Sequence, residues 1–234
     1  MMSVIRLFFL FFWTLSLMFL GPLFILFTFN RQAPLVIARK FFAPGLMWIA
    51  GADVTVVGKE NVPLDKPVVF VANHASHLDI GCLCGALPVN LHFIGKKELM
   101  YFPIVGWYML IAGHIFIDRK SRKKAAESLK QAALKIREGK SVVMYPEGTR
   151  SADGTIGVFK KGAFHLAMDA GVQIIPVSMN GTEKVWPKSP NKITPGKVMI
   201  KIGKPIDSKD YTKATIRDFV ADTRAVIVKL HQEN

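Results

Sequence analysis

Two residues that could exchange a proton stand close together near the first third of this chain. In the segment NHASHLD at 73–79, His74 and Asp79 follow an apolar run, VVFVAN, that ends at Asn73. An imidazole with an ordinary pKa near 6.5 is a free base at neutral pH and can take a proton from a hydroxyl. That task needs one ring nitrogen unprotonated and aimed at the substrate. A carboxylate on the other nitrogen fixes the tautomer and stabilises the imidazolium that forms. A strand-to-helix turn between the two residues would let their side chains meet. His77 raises a rival, in which His74, His77 and Asp79 ligate a metal. The HxHxDH pattern of binuclear hydrolases is not matched, and no second His/Asp cluster completes a site, so no metal is expected.

A second polar group follows another apolar run. In YPEGTRS at 145–151, Glu147, Gly148, Thr149 and Arg150 fall in a predicted loop. Arginine offers a bidentate fork suited to a phosphate monoester, and glycine lets the backbone come close to a ligand. The same residues would also make a polar turn with a solvated arginine, and the segment alone leaves both readings open.

The elements that must hold these residues can be read from hydropathy. Runs at 54–57, 68–73, 91–95, 114–118, 141–145, 173–179 and 197–203 read as strands, several of them β-branched and continuously apolar, as in a sheet covered on both faces. Between them, SRKKAAESLKQAALKIREG places Ala125, Leu129, Ala132, Ala133 and Ile136 on one helical face, with Ser121 as N-cap and Gly139 as stop. Near the C-terminus Ile216, Phe219, Val220, Val226, Ile227 and Leu230 make a similar stripe. Strands alternating with helices predict an α/β domain, with a mixed, mostly parallel sheet flanked by helices. His74 and the EGTR loop would then share the carboxyl edge of that sheet, where such folds place their ligands.

Before this domain the chain is different. Half of the 234 residues are hydrophobic, and the excess is concentrated between Leu7 and Phe29, which hold no charged residue. A helix of that length matches a bilayer's hydrocarbon core. A cleaved signal peptide would be shorter and carry a small-residue cleavage site, and neither is present. Gly21-Pro22 would kink or break a single spanning helix. A re-entrant hairpin is the third reading, its second arm at 32–50, where Arg39, Lys40 and Trp48 suit an interface. Residues 1–50 are therefore read as a hydrophobic helical membrane anchor with a two-helix motif, and 51–234 as the α/β domain.

The net charge of +14 could serve a nucleic acid or an anionic membrane. The first 50 residues contain no Asp or Glu, so cations sit beside the apolar anchor, where each contributes about 1 kcal/mol near anionic lipid. No aromatic-basic module for nucleic acid is found, and no nucleic-acid partner is expected. Cys82 and Cys84 read as small buried hydrophobes in a reduced cytosol.

Taken in order, the blocks resemble the glycerolipid acyltransferase family. NHASHLD is similar to its NHxSxxD block, YPEGTRS to FPEGTRS with Tyr for the leading Phe, GHIFIDR at 113–119 to G-x-[IV]-F-[IV]-x-R, and IIPVSMNG at 174–181 to its V-P-[VI] block. GKKEL at 95–99 and FKKGAF at 159–164 also resemble family segments, so the likeness covers roughly 50–205. The pattern is most like the bacterial enzymes that acylate 1-acyl-sn-glycerol 3-phosphate to phosphatidate in phospholipid biosynthesis. The resemblance implies His74 as general base, Asp79 as its partner, and direct attack of the sn-2 oxygen on an acyl thioester with no covalent acyl-enzyme. It implies that Glu147, Gly148, Thr149 and Arg150 bind the glycerol phosphate, with Arg119, Lys96 and Lys97 as further phosphate ligands. Arg119 also begins the run RKSRKK at 119–124, which could be a solvated basic helix start.

No cofactor is implied beyond the donor substrate, acyl-CoA or acyl carrier protein. Lysophosphatidate would be the acceptor and an anionic membrane surface the platform, with the catalytic domain facing the cytoplasm, as at a bacterial inner membrane. Acylation of another lyso-lipid or of glycerol 3-phosphate is the alternative, and a non-catalytic lipid-binding protein the second. His92, His114 and His165 have no partner in a matched block and read as structural. The segment LMYFPIVGWYMLIAG at 99–113 could line an acyl groove or lie in the core, and core is the plainer expectation.

Overall fold

The structure is a computed structural model that describes residues 2–188 and 192–233. Strand β2 (Val69–Ala72) shows why continuous apolar runs were the right signal, because every residue of it is fully buried. Side chains alternate across a strand, so Val68, Phe70 and Ala72 join the core on one face while Val69 and Val71 join the core on the other. The remaining strands are β1 (Ala52–Val57), β3 (Leu91–Lys96), β4 (Ile115–Ile117), β5 (Ser141–Met144), β6 (Ile174–Asn180) and β7 (Gly196–Ile202). All seven expected strands are present, in the order β1-β7-β6-β2-β5-β3-β4. The five strands from β6 to β4 run parallel, while β7 pairs antiparallel to β6 and parallel to β1. The carboxyl ends of β2, β5, β3 and β4 therefore form one continuous edge, and the chemistry-bearing loops all leave from it.

Two apolar helices precede the sheet, α1 (Met2–Thr28) and α2 (Ala33–Ala50), and each is long and apolar enough to cross a membrane by length and composition. α1 passes through Gly21-Pro22 as one helix of 27 residues, so the proline does not break it. The missing proline N–H removes one helical hydrogen bond, but packing holds the segment in place. Gly21 is buried, and a Cβ there would lie 3.4 Å from Pro34. α2 contains a π-helical stretch, Ala38–Phe42, that carries Arg39 and Lys40.

The two arms form a hairpin laid on the domain. Arg6 Nη1 donates to the carbonyls of Ile49 at 3.2 Å and Ala50 at 2.6 Å, and Arg39 donates to the Pro88 carbonyl. Leu10, Leu46 and Ala50 belong to the same core cluster as Phe70 and Leu83. Under the hairpin lies α3 (Asp79–Ala86), where small residues permit close approach: a Cβ on Gly81 would stand 2.5 Å from Leu46 Cδ2. α4 (Val105–Ile111) follows β3 and also meets the hairpin, its Tyr108 hydroxyl donating to the Pro34 carbonyl at 3.1 Å.

The other face of the sheet is covered by α5 (Arg122–Arg137), α6 (Gly162–Ala170) and α8 (Ile216–Gln232), while a short α7 (Thr182–Val185) follows β6. Ser121 caps α5 as expected, its hydroxyl accepting the Lys124 N–H at 3.2 Å, and Gly139 takes a positive φ of 99° just past the end. The expected stripe on α8 is buried at Ile216, Phe219 and Ile227, with Thr223 among them, while Val226 and Leu230 are half-buried. Cys82 and Cys84 are free and buried, and burial pushes the Cys84 thiol up to about 12.

Candidate active site

β2 delivers its last residues to the carboxyl edge, and a set of hydrogen bonds fixes the turn that follows. Asn73 is buried and locks β2 to β6 by donating to the Met179 carbonyl and accepting the Met179 N–H, both at 2.8 Å. The chain then folds back so that Asp79, first residue of α3, points at His74. Asp79 Oδ2 lies 2.7 Å from His74 Nδ1 and also accepts the N–H groups of Ala75 at 2.8 Å and Ser76 at 2.9 Å. One carboxylate oxygen thus ties off the turn and orients the imidazole. Asp79 is fully buried, and its Oδ1 has no partner among the described residues.

A carboxylate cannot donate, so Nδ1 carries the proton of this hydrogen bond, and in the neutral imidazole the lone pair is then on Nε2. The His74 side chain is 19% exposed, enough for Nε2 to meet a ligand at the edge. On its flank the ring of Tyr145 stacks at 4.0 Å between centroids and 15° between planes. The Tyr145 hydroxyl is buried without a partner among the described residues, and burial raises its pKa well above the ordinary phenol value, with Asp79 acting in the same direction. Tyr145 therefore serves His74 as a flat apolar wall. In the sequence it was visible only as the Tyr that replaces a Phe.

The EGTR residues divide into two kinds. Glu147 Oε1 accepts the His74 N–H at 2.9 Å and its Oε2 accepts the Gly157 N–H at 3.0 Å. Both oxygens hold backbone, and a carboxylate would repel a phosphate, so Glu147 acts as a strut between the two loops. Gly148 sits at φ 76°, where other residues are strained, and its N–H closes a turn on the Tyr145 carbonyl at 3.1 Å. Lys160 approaches closely, its Nζ only 2.7 Å from where a Gly148 Cβ would be. Thr149 is exposed and Arg150 half-buried, with no ion pair to Arg150 among the described residues. The Ser151 N–H donates to the His74 carbonyl at 2.8 Å, so the EGTR loop and the His74 turn are stitched together directly.

Lys96 ends β3, Lys97 follows it and Arg119 lies two residues past β4, on the same edge but two and three strands from β2. At the usual strand spacing those are gaps of about 10 and 14 Å. Lys97 Nζ pairs with Asp118 Oδ2 at 3.5 Å, while Lys96 and Arg119 are exposed. None of the three touches the His74 group.

His77 is turned away. Its Nε2 lies 3.2 Å from the Lys188 carbonyl and its ring leans on Trp186 at 5.2 Å. Its pKa is lowered, chiefly by burial and then by the Arg150 charge. Among the described residues no group of three His, Cys, Asp or Glu could hold a metal ion.

An apolar cavity of about 200 Å³ lies beside the edge, between the hairpin, α3, β3 and α4. Ile80, the neighbour of Asp79, is in its wall, with Met18, Phe42, Phe93 and Met109. Val105, Tyr108 and Met109 bring one face of α4 into this lining, so part of the 99–113 segment does line a groove. His74 is outside the lining.

A family model described as Acyltransferase matches residues 53–180, the stretch that carries both the His74 turn and the EGTR loop. The chain belongs to that family. A 1-acyl-sn-glycerol-3-phosphate acyltransferase of Haemophilus influenzae is 31% identical over 94% of this chain and 91% of its own length. One from Chlamydomonas reinhardtii is 39% identical over 196 residues. The chain spans 58% of the length of that protein and 65% of a Limnanthes douglasii relative. The crystal structure of the 1-acyl-sn-glycerophosphate acyltransferase PlsC from Thermotoga maritima superposes with a TM-score of 0.82 at 31% identity, covering 100% of this chain and 99% of that one.

Proposed function

We propose that this protein transfers an acyl group from an acyl thioester to the sn-2 hydroxyl of 1-acyl-sn-glycerol 3-phosphate, forming phosphatidate. The observation that carries the reading is the 2.7 Å contact between His74 Nδ1 and Asp79 Oδ2, which leaves Nε2 free. Nε2 takes the hydroxyl proton as the oxygen attacks the thioester carbonyl. The tetrahedral intermediate collapses by expelling the thiolate, which recovers the proton from the imidazolium. Asp79 steadies that imidazolium, and Tyr145 and Glu147 hold His74 in place.

The phosphate would bind at the Gly148–Arg150 turn, where backbone N–H groups and the Arg150 guanidinium are one strand from His74. Lys160 is an additional cation there, while Lys96 and Arg119 would meet the headgroup or the surrounding membrane. An acyl chain would lie in the apolar cavity. Residues 1–50 act as the membrane anchor of an acyltransferase domain at 51–234, holding it where both acceptor and product reside. The catalytic face would look to the cytoplasm, the source of acyl thioesters.

The test is thiol release by the purified full chain in vesicles with acyl-CoA and a panel of acceptors. Turnover should be fastest with lysophosphatidate. Faster release with glycerol 3-phosphate or another lyso-lipid would move the acceptor, and no release with any acceptor would remove the enzymatic reading.

A further inference from the structure

The segment between β3 and β4 departs from its expectation as core. Its inner face lines the cavity, but its outer face is bare: Tyr101 is 74% exposed, Phe102 and Trp107 each 60%. On α4, Trp107, Leu110 and Ile111 stand at i, i+3 and i+4 and make one outward apolar stripe. The helix sequence VGWYMLI contains no charged residue at all. A short helix facing water would carry polar groups at those positions. Its entry turn is also unusual, since Ile104 has a φ of 65°, a costly conformation for a β-branched residue that packing must hold.

We propose that Tyr101–Ile111 is a second lipid-contacting element, inserted in the same leaflet face as the hairpin. Three observations name the bilayer as its occupant. First, the helix that bears the stripe packs directly on the hairpin, its Tyr108 hydroxyl donating to the Pro34 carbonyl and its ring lying 3.4 Å from where a Gly21 Cβ would be. Phe19, Leu20 and Leu23 of α1 are exposed on either side of that contact. Second, exposed cations flank the segment, Lys96 and Lys97 at its start and Arg119 two residues past β4, and would meet lipid phosphates with the stripe immersed. Tryptophan and tyrosine between cations and hydrocarbon is the usual order at a membrane interface. Third, the cavity is walled by both elements, with Leu17 and Met18 from α1 and Val105 and Met109 from α4. Immersing the two together would let an acyl chain pass from the leaflet into the cavity without crossing water.

This inference rests on the reading of the hairpin as a membrane anchor, and the test separates the two. Full-length single-tryptophan variants keep either Trp107 or Trp48, the latter 82% exposed on the hairpin, with the other three tryptophans replaced by phenylalanine. Each is bound to vesicles of phosphatidylcholine and phosphatidylglycerol with bromine on the acyl chains, which quench indole emission on contact. Trp107 should lose emission by the same fraction as Trp48 and resist aqueous iodide. If Trp48 is quenched by bromine while Trp107 responds only to iodide, the proposal fails and the hairpin anchor stands. If neither responds to bromine, both readings fail.

A spin label on Trp107→Cys gives a second measurement should the tryptophan replacements unfold the chain, since Cys82 and Cys84 are buried. Collision with dissolved oxygen should then exceed collision with a water-soluble nickel chelate. Shielding from both would place the stripe against protein, a second copy of the chain being one such partner, and overturn the proposal.

Discussion

Histidines occur at both ends of the sheet's parallel strands, and the two ends surround them differently. At the carboxyl edge His74 has a carboxylate on Nδ1, a flat ring at its side and an open Nε2. At the amino edge His92 and His114 are buried, with rings 6.2 Å apart. There His114 Nδ1 accepts the Phe93 N–H at 3.0 Å, and His92 Nδ1 lies 3.4 Å from the Ser141 carbonyl. Burial lowers His92 to about 4, helped by Lys140, and His114 to about 3, helped by His92. The amino edge uses imidazole as a neutral filler that satisfies backbone. The difference lies in what surrounds the ring: a buried anion that orients it at one edge, against backbone partners at the other.

The comparison can be broken most forcefully at Asp79. An Asp79→Asn variant presents an amide where the turn offers N–H donors, so the imidazole loses its anchor and its tautomer. Thiol release with lysophosphatidate should fall about 10²–10⁴-fold. Retention of wild-type turnover would show that His74 needs no carboxylate.

Glu147 sharpens the assignment of the EGTR loop. Glu147→Gln keeps one acceptor for the two backbone N–H groups of His74 and Gly157. Losing a charge-assisted bond of about 1.5–3 kcal/mol should lower kcat about tenfold or more, with the KM for lysophosphatidate little changed. A rise in KM at constant kcat would return Glu147 to direct contact with the acceptor.

The smallest effect is expected at the amino edge and concerns stability. The folded protein keeps His92 and His114 neutral, while the unfolded chain protonates them near pH 6.5. The unfolded state therefore binds more protons below that pH. Stability should be full above about 6.5 and decline as pH falls toward 4. His92→Asn retains a donor for the Ser141 carbonyl and should flatten this acid slope, measured by thermal melting from pH 7 to 4.5, with turnover at pH 7 near wild type. An unchanged slope would mean that His92 does not contribute to it.

The strands and the His74–Asp79 pair were legible in the sequence because their signals are local. A parallel strand covered on both faces must be continuously apolar, as Val69–Ala72 is, and a His-to-Asp spacing that spans one turn is visible in a single line of residues. The contacts of Tyr145 and Glu147 with His74 were not legible because they depend on neighbours in space. Tyr145 meets His74 across adjacent strands, and Glu147 reaches back 73 positions to the His74 N–H. The 99–113 segment escaped for another reason. Hydropathy alone cannot distinguish apolar residues that are buried from apolar residues left exposed, and both are found on this short helix. Gly21-Pro22 likewise reads as a break until the packing that holds α1 together is known.

The central claim is that His74 removes the proton from the acceptor hydroxyl, and His74→Ala addresses it most directly. Wild type and variant would be compared in the same vesicles for thiol release from acyl-CoA with lysophosphatidate, alongside their melting temperatures. Turnover should drop about 10²–10⁴-fold while the fold persists. Near-wild-type turnover in the folded variant would contradict the account.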